Sequence, residues 1–580
     1  MAAALQPRRI QTTDWLVLLL ACLASAYVFW DVQRPFHETD EFLYSQVVGQ
    51  MLDSGDFVTP RFASIDLLTK PPLFYWLSTI VQSLTGNEAL GIRLIPGMSF
   101  ILILFLIYRI GKEQFSGTVG LLAALVFFLC YDHLFNHVYK AGVMEGILNL
   151  QIALVFWLNL QLKEHPGRIR WIAVLIALAF MTKSVFAVIP AVITAAHLWL
   201  WRGEIRIRRA HLLQSVALGA AIVLPWFLVA LQRHGYELVH YMFVDQVWNR
   251  AVYDELAAAE TARTFGRTQP LYVLHHFLEY GQPWSLLVWP ALWYSLRVSP
   301  ADNPVESLTL RLSAMWFIGV MLLFLVSRGR WSWYVSSTYL PAAIMIASML
   351  DAFRRDPRLA VAPAVWIATA VAFLLPRAIF FVNPYSRSSG RAQIFLEFFE
   401  YGLAALAVGA LVLFARRLEV KIAARRGLLW IGVAAGSFGA IAAPLLHLLL
   451  ADGRKYGFSF PELMLPSLAA MTGIMLLLFS LRTAAAARTA CLTWPFILAS
   501  VYLITPLRWA GEDYTRPEIA SIEAMIDSGY FTRNDVLEMR IASFYSYVPV
   551  YATFGNEYQV DYDGKSKILR IIAREPPQSD

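Results

Sequence analysis

The segment TDEFLYSQVVGQMLDSGDFVTPRFASIDLLTKPPLFYW, residues 39 to 76, decides how this chain is organised. It follows the first apolar run closely, begins with the acidic pair Asp40 and Glu41, and reaches Lys70 just before an aromatic stretch. Charged side chains next to a hydrocarbon layer are costly and usually have a function. These charges are therefore the first candidates for a site at a membrane surface.

Composition sets the class of protein. Hydrophobic residues make up 58% of the 580 residues and charged residues only 15%, whereas soluble domains carry roughly a quarter charged residues. Apolar runs of about 17 to 22 residues recur along the chain, each long enough to cross a membrane as a helix. The three cysteines, Cys22, Cys130 and Cys491, lie in such runs, so we expect neither a disulfide framework nor a zinc cluster.

The basic residues indicate topology and not nucleic acid binding. Despite a net charge of +7 they are spread over alternate loops, which the positive-inside rule assigns to the cytoplasm. We predict an all-α polytopic membrane protein with about 13 to 15 spans. The spans lie near 15–31, 88–110, 116–134, 143–162, 171–183, 185–201, 212–231, 283–297, 309–327, 333–351, 361–382, 398–415, 427–450, 461–480 and 490–506.

This pattern divides the chain into a transmembrane domain at 1–506 and an outer segment at 507–580. Outer loops at 31–87 and 232–282 belong to the first part. Within the outer loop 31–87, the apolar run 71–84 is too short for a span. We interpret it as an interfacial helix with Tyr75 and Trp76 at headgroup level. The second part is predicted to be a small αβ segment, with an amphipathic helix at 516–530 and alternating strands within 558–573.

The acidic pair and the lysine suggest a chemistry. One carboxylate of Asp40 and Glu41, made more basic by partial desolvation, could take a proton from an acceptor while the other orients the loop. Capping of a helix N-terminus is the alternative. Lys70 precedes two prolines, which would aim its ammonium at a phosphate; the alternative is a lysine that extends to lipid headgroups.

A second acid lies at the outer end of the fourth span. Lys140 and Glu145 are five residues apart, which is not a same-face helical spacing. Glu145 is therefore either an acceptor-binding acid or a member of an ion pair between helices. With Asp40 it could also bind a divalent cation through oxygen ligands, but nearby lysines lessen the need for one, and we predict no required cofactor or metal.

Three further cations fall on the outer side. Lys183 lies between two apolar runs, Arg330 is interleaved with tryptophan and tyrosine, and Arg250 ends the sequence YMFVDQVWNR. Arginine is well suited to bind phosphate through its planar fork. The aromatic residues around Arg330 would equally form an interfacial belt.

The order of the motifs gives a resemblance to a family. Asp40-Glu41 with Tyr44 fits D-E-x-x-Y, residues 51–57 fit M-L-x-S-G-D-W with phenylalanine last, 60–62 fit P-R-F, and 70–76 fit K-P-x-x-x-Y-W. This order resembles the bacterial GT-C glycosyltransferases, the group of the protein O-mannosyltransferases and the lipid A aminoarabinose transferase. Weaker matches follow up to about residue 350, with Ser184 at a family glycine.

The resemblance implies an inner-membrane glycosyltransferase with its site on the periplasmic face. It implies a polyprenyl (undecaprenyl) phosphate-linked sugar as donor, inverting single displacement, and a lipid A, glycan or protein acceptor. The implied catalytic acids are Asp40, Glu41 and Glu145, although the family has Asp after Arg where this chain has Glu145 after Lys140. The implied donor phosphate ligands are Lys70, Arg330, Arg250 and Tyr334, with supporting residues Tyr44, Arg61, Lys140, Lys183 and Tyr339, the last competing with Tyr334 for one motif position.

Two other functions fit the same hydropathy. A transporter or flippase would place its charges along a pathway near the membrane midplane, whereas these charges gather at outer helix ends. An oligosaccharide ligase of the same fold would use a pyrophosphate-linked glycan as donor. The sequence identifies neither the sugar nor the acceptor.

Overall fold

A computed structural model gives the fold of the protein. It describes residues 11–355 and three strands near the C-terminus, at 536–540, 558–563 and 568–573. Within 11–355 it leaves out 31, 35, 37–38, 64, 131–132, 134–137, 250–272, 274–276, 278–280, 282–283 and 328–331. The spans predicted beyond residue 360, the helix predicted at 516–530, and the predicted ligands Arg250 and Arg330 lie outside the described residues.

The described part of the chain is mainly helical. Its α-helices are α1 (Thr12–Phe29), α2 (Thr39–Ser54), α3 (Leu73–Thr85), α4 (Glu88–Gln114), α5 (Gly117–Phe128), α6 (Glu145–Asn159), α7 (Ile169–Lys183), α8 (Val188–Leu200), α9 (Arg209–His234), α10 (Tyr236–Val239), α11 (Ser285–Arg297), α12 (Pro304–Val326) and α13 (Tyr339–Arg355). A π-helical segment, His240–Asn249, follows α10, and a 3-10 segment, Ser332–Thr338, precedes α13.

Six helical stretches among the described residues are long and apolar enough to cross a membrane. They are Thr12–Phe29, Glu88–Gln114, Pro166–Leu200, Arg209–His234, Pro304–Val326 and Trp333–Ala352. Their positions confirm the polytopic helical architecture. The spans predicted at 116–134, 143–162 and 283–297 correspond to the shorter helices α5, α6 and α11.

Local sequence explains where several of these helices begin. The Asn87 side chain accepts a hydrogen bond from the Leu90 N–H and starts α4, and Ser116 accepts one from the Val119 N–H and starts α5. Asn303 does the same for α12, where Pro304 occupies the first helical position and needs no N–H partner. Each cap satisfies a backbone donor that the helix itself leaves unpaired.

The stretch Pro166–Leu200 is broken at Ser184, where the chain reverses. Ser184 has φ 35° and ψ −103°, a conformation that glycine adopts far more readily. Residues 184–187 form a 3-10 turn between α7 and α8. At the far ends of these two helices Lys163 and Glu204 form an ion pair at 2.7 Å, so the two predicted spans at 171–183 and 185–201 run in opposite directions.

The helical bundle has a face that carries the first outer loop, which we call the site face. The C-terminal end of α9 contacts this loop, since the Trp226 indole donates to the Val58 carbonyl at 3.0 Å and Arg233 binds Asp56 at 2.8 Å. The helix begins at Arg209, about 38 Å away at 1.5 Å per residue. That end and the Lys163–Glu204 pair therefore lie on the opposite face.

The first outer loop is a small packed layer. It comprises α2, a hairpin of β1 (Arg61–Phe62) and β2 (Ile65–Asp66), and α3. Gly86, with φ 64°, closes α3 by donating its N–H to the Gln82 carbonyl. The sequence placed Tyr75 at headgroup level, and this is wrong, because the ring is 2% exposed and packs 5.6 Å from the ring of Tyr44.

The C-terminal strands pack onto the same layer. β3 (Val536–Arg540), β5 (Ile568–Ala573) and β4 (Tyr558–Asp563) form an antiparallel sheet in that order. The strands predicted within 558–573 are confirmed, whereas β3 was not predicted. Val560 and Ile571 face each other across the strands and belong to the buried cluster that contains Tyr44 and Phe62.

Two glycines allow α4 and α5 to cross at close range. A Cβ on Gly120 would lie 2.4 Å from the Tyr108 carbonyl oxygen, and one on Gly111 would lie 2.4 Å from the Gly120 Cα. Both obstacles are backbone atoms, which cannot rotate away as a side chain could. Small residues at such crossings let membrane helices approach and gain packing contacts.

We predict that Gly120→Ala lowers the thermal stability of the purified protein in detergent. The new methyl group must push α4 and α5 apart, at a cost of about 1–3 kcal/mol. Gly319→Ala is the matched control, because Gly319 is in the middle of α12 and a Cβ added there would meet no described atom within 4 Å. The Gly319→Ala substitution should stabilise α12 slightly. Equal melting temperatures for the two variants would contradict the close crossing.

Candidate active site

Two acids stand at helix N-termini on the site face. Asp40 lies in the first turn of α2, and Glu145 is the first residue of α6. Helix N-termini carry a partial positive charge that stabilises carboxylates. The capping function that the sequence left open for Asp40 is thus compatible with its position and does not exclude a chemical role.

Lys183 binds one of these acids and interacts with the charge of the other. Its ammonium, at the end of α7, is buried and donates a hydrogen bond to the Glu145 carboxylate. The charge of Asp40 also acts on it electrostatically. The Lys183 ammonium also lies 5.4 Å from the ring centre of Tyr334, so three side chains from separate elements meet at the end of α7.

The structure separates the roles of the adjacent acids. Glu41 is fully buried, and its Oε1 accepts hydrogen bonds from Arg93 Nε at 2.6 Å and from the Gly142 N–H at 2.9 Å. Asp40 is only partly buried, and its Oδ1 accepts no hydrogen bond from any described residue. Of the two carboxylates, Asp40 is the one that can meet a substrate.

Arg93 is an organising residue that the sequence reasoning missed. Besides Glu41, it donates to the carbonyls of Val32 at 2.5 Å and Arg34 at 2.7 Å, and its guanidinium lies 5.0 Å from the ring centre of Phe36. It therefore fixes the backbone that leads into α2. Its position near the start of a span, in an otherwise apolar stretch, was the available signal, because a buried arginine requires partners.

The bonds to Glu41 also tie the second acid to the first. Gly142, which donates to Glu41, precedes Glu145 by three residues in the turn that begins α6. In the same turn, the Lys140 carbonyl accepts a hydrogen bond from Arg34 at 3.1 Å. One buried carboxylate therefore joins the chain segments that carry Asp40 and Glu145.

Lys140 and Glu145 have different neighbours. The Lys140 ammonium lies 4.6 Å from the ring centre of Tyr27 on α1, whereas Glu145 bonds Lys183. Of the alternatives left open by the sequence, the ion pair between helices is the one observed for Glu145. Because Glu145 is paired with Lys183, Asp40 is the acid that is more available to a substrate.

Lys70 is bound to Tyr44, which lies one helical turn after Asp40. It donates a hydrogen bond to the hydroxyl of Tyr44, which is four residues after Asp40 and so on the same face of α2. Tyr44 is held in turn by the rings of Phe74 at 5.7 Å and Tyr75 at 5.6 Å. The tyrosine thus fixes the direction of the lysine relative to the acid.

Arg61 belongs to a network of ion pairs beside this site. It bonds Asp66 at 2.6 Å across the β1–β2 hairpin and lies 3.4 Å from Asp56. Asp56 in turn binds Arg233 at the end of α9. Burial raises the pKa of Asp56, but hydrogen bonds from Val58, Arg233 and Thr59 outweigh it and lower that pKa below its usual value. Through Asp56, which binds both Arg61 and Arg233, these ion pairs connect the first outer loop to the end of α9.

The two tyrosines that competed for one motif position lie in different surroundings. Tyr334 packs 4.8 Å from Phe186 and near Lys183. Tyr339 is buried, with its ring 5.0 Å from His133 and 5.5 Å from Phe277. Tyr334 is thus the one beside the acids.

No group of three or more His, Cys, Asp or Glu side chains among the described residues has the geometry of a metal site. The oxygens closest to such a role are those of Asp40 and Glu145, and Lys183 already neutralises the latter. A lysine in this position supplies the positive charge that a cation would otherwise provide. The expectation that no metal is required stays a prediction.

We predict that Glu41→Gln strongly destabilises the protein. The change leaves the Arg93 guanidinium buried without its counter-charge, and breaking a buried pair costs about 3–5 kcal/mol. The double variant Glu41→Gln/Arg93→Met removes both charges and should regain much of the loss. Thermal unfolding of the purified variants in detergent measures both. A double variant no more stable than Glu41→Gln would show that the pair is not the cause.

The chain is similar to known membrane glycosyltransferases. Residues 69–228 match the model of the dolichyl-phosphate-mannose-protein mannosyltransferase family. The chain is 26% identical over 347 residues to undecaprenyl phosphate-alpha-4-amino-4-deoxy-L-arabinose arabinosyl transferase 2 of Pseudomonas fluorescens, covering 58% of this chain and 56% of that protein. It is 26% identical over 354 residues to transferase 1 of Sodalis glossinidius, covering 58% of both. The chain thus spans little more than half the length of these relatives.

A solved structure resembles the chain over nearly its whole length. The crystal structure of ArnT from Cupriavidus metallidurans bound to undecaprenyl phosphate superposes with a TM-score of 0.51 at 17% identity, covering 97% of this chain and 98% of that one. At this identity the likeness concerns the fold. The sequence similarity includes Lys70 and Lys183, which fall within the matched residues 69–228.

Proposed function

The chain has the GT-C fold and is similar, over more than half its length, to undecaprenyl phosphate-aminoarabinose transferases; on this premise we propose that it is a glycosyltransferase. It transfers one sugar from a polyprenyl phosphate donor to an acceptor at the periplasmic face of a bacterial inner membrane. The observation that carries the proposal is the cluster of Glu145, Lys183 and Tyr334, together with Asp40, whose charge acts on Lys183, and Lys70, which binds Tyr44 on the helix of Asp40. Lipid A is the acceptor class we favour.

The reaction is a single displacement at the anomeric carbon of the sugar. An acceptor hydroxyl attacks that carbon, a new carbon–oxygen bond forms, and the bond to the phosphate oxygen breaks with inversion. The acceptor proton passes to Asp40, which acts as general base. The electron pair leaves with the polyprenyl phosphate, and the ammonium of Lys70 offsets the charge that builds on it.

The remaining groups position the reactants. Glu145 is bound to Lys183, so it serves the acceptor side as a fixed, neutralised acid and is not a second base. Tyr334 lies beside this pair and can donate to the donor phosphate. Arg250 and Arg330 remain further candidates for that phosphate from the outer loops. Holding donor and acceptor in line contributes to the rate as much as any single charge.

The position of the charges favours transfer over transport. Asp40 and Glu145 begin helices and Lys183 ends one, all on the site face. Transporter sites are typically formed near the membrane midplane between repeats. Covalent transfer of a labelled sugar by the purified protein in detergent, where no compartments exist, distinguishes the two functions. The absence of any labelled product with polyprenyl phosphate donors would count against a transferase.

We predict that Asp40→Asn lowers kcat at least a hundredfold, because removal of a general base typically costs about 10²- to 10⁴-fold. Asp53→Asn is the matched control: the same substitution in the same helix, at an exposed position. It should transfer sugar at the wild-type rate. The assay uses undecaprenyl phosphate-linked sugar and lipid A, with thermal unfolding as the check of folding. A folded Asp40→Asn variant with wild-type kcat would contradict the assigned role.

We predict that Lys70→Met reduces kcat/KM for the donor by about a hundredfold, the effect of losing one group that stabilises a developing oxyanion. Tyr44→Phe should have a smaller effect in the same direction, because it frees the lysine without removing its charge. The control is Lys163→Met, which breaks the exposed pair with Glu204 on the opposite face. Equal losses for Lys70 and Lys163 would mean that the charge acts only on the membrane surface.

A further inference from the structure

A second charged region lies on the opposite face, where α8 ends and α9 begins. The loop between these helices carries four exposed arginines within eight residues, Arg202, Arg206, Arg208 and Arg209. Across from it, Arg170 at the start of α7 bonds Gln214 at 3.1 Å. We call Arg206, Arg208 and Arg209 the arginine corner.

The arginine corner differs from most other basic residues of the described chain. Several of those on the opposite face form ion pairs: Lys163 binds Glu204, Lys112 binds Asp14 and Arg109 binds Glu113. The three side chains of the arginine corner make no hydrogen bond or ion pair with any described residue. The single acid of the loop, Glu204, is taken by Lys163, so the positive charge here is not neutralised.

The surroundings of the arginine corner are those of a membrane interface. Trp171 and Trp199 flank it with 61% and 65% of their surface exposed, as tryptophans at headgroup level are. Directly after Arg209, α9 presents an apolar surface that includes Leu213 at 72% and Val216 at 71% exposure. Cationic groups therefore stand at the position of lipid headgroups, immediately above an apolar surface at the position of acyl chains.

We propose that the arginine corner binds an anionic phospholipid. The phosphodiester of the headgroup lies among Arg206, Arg208 and Arg209, and the acyl chains lie along the α9 surface at Leu213 and Val216. Guanidinium groups bind phosphate oxygens in a planar, two-bond geometry. The site lies at the start of α9, about 38 Å along the helix from the end that contacts the first outer loop, so it is separate from the transfer site and does not depend on the proposed function.

The binding test uses the full chain purified in detergent and titrated with phosphatidylglycerol or phosphatidylcholine, with bound lipid counted by native mass spectrometry. We expect preferential binding of phosphatidylglycerol. The triple variant R206Q/R208Q/R209Q should weaken it about a hundredfold, because each arginine near an anionic surface contributes about a factor of five. The charge-preserving variant R206K/R208K/R209K should bind more tightly than the glutamine variant but more weakly than the wild type, because lysine keeps the charge and loses the two-bond geometry.

Two controls make the result specific. Arg297→Gln removes an exposed arginine from the end of α11 and should leave phosphatidylglycerol binding unchanged. Inorganic phosphate at millimolar concentration should not displace the lipid, since the acyl chains contribute to binding. Equal binding of the two lipids, unchanged binding by the triple glutamine variant, or full displacement by phosphate would each overturn the proposal. Sugar transfer by the triple variant should stay at the wild-type level.

Discussion

The buried bond between Glu41 and Arg93 is the interaction on which the site geometry depends. Both side chains are almost inaccessible to solvent, 0% and 3% exposed, so neither charge can exist there without the other. Through this bond, α4 holds the start of α2, the backbone at Val32 and Arg34, and the turn at Gly142. The first outer loop therefore has a fixed orientation on the helical bundle.

That orientation determines which groups can react. Glu41 bonds Arg93, whereas Oδ1 of the neighbouring Asp40 accepts no hydrogen bond from any described residue and the Asp40 charge acts on Lys183. Tyr44, one turn later on the same helix, places Lys70 at the same surface. The proposed base Asp40 and the Tyr44 that binds Lys70 are then held on one helix, which packs in the layer to which Val560 and Ile571 also belong.

Local pattern in the sequence predicted part of this arrangement. Apolar runs predicted the spans, and alternation predicted the strands β4 and β5. Ion pairs between residues distant in the chain could not be predicted from local pattern. Glu145 and Lys183 are 38 residues apart on different helices, and Arg93 and Glu41 are 52 residues apart. Tyr75 was placed at the interface because tyrosine is common there, but the layer of α2 and the hairpin covers it. Adjacent acids at a helix start also look alike in a sequence, and only burial distinguishes Glu41 in the interior from the partly exposed Asp40.

In the proposed mechanism Asp40 reacts, and Glu41 positions it. The most direct test is kcat for sugar transfer by the double variant Glu41→Gln/Arg93→Met, measured beside Asp40→Asn under saturating donor. We expect the folded double variant, which retains Asp40 but has lost the bond that orients it, to transfer sugar more slowly than the wild type and well above the level of Asp40→Asn. A folded double variant as inactive as Asp40→Asn would contradict this division of roles.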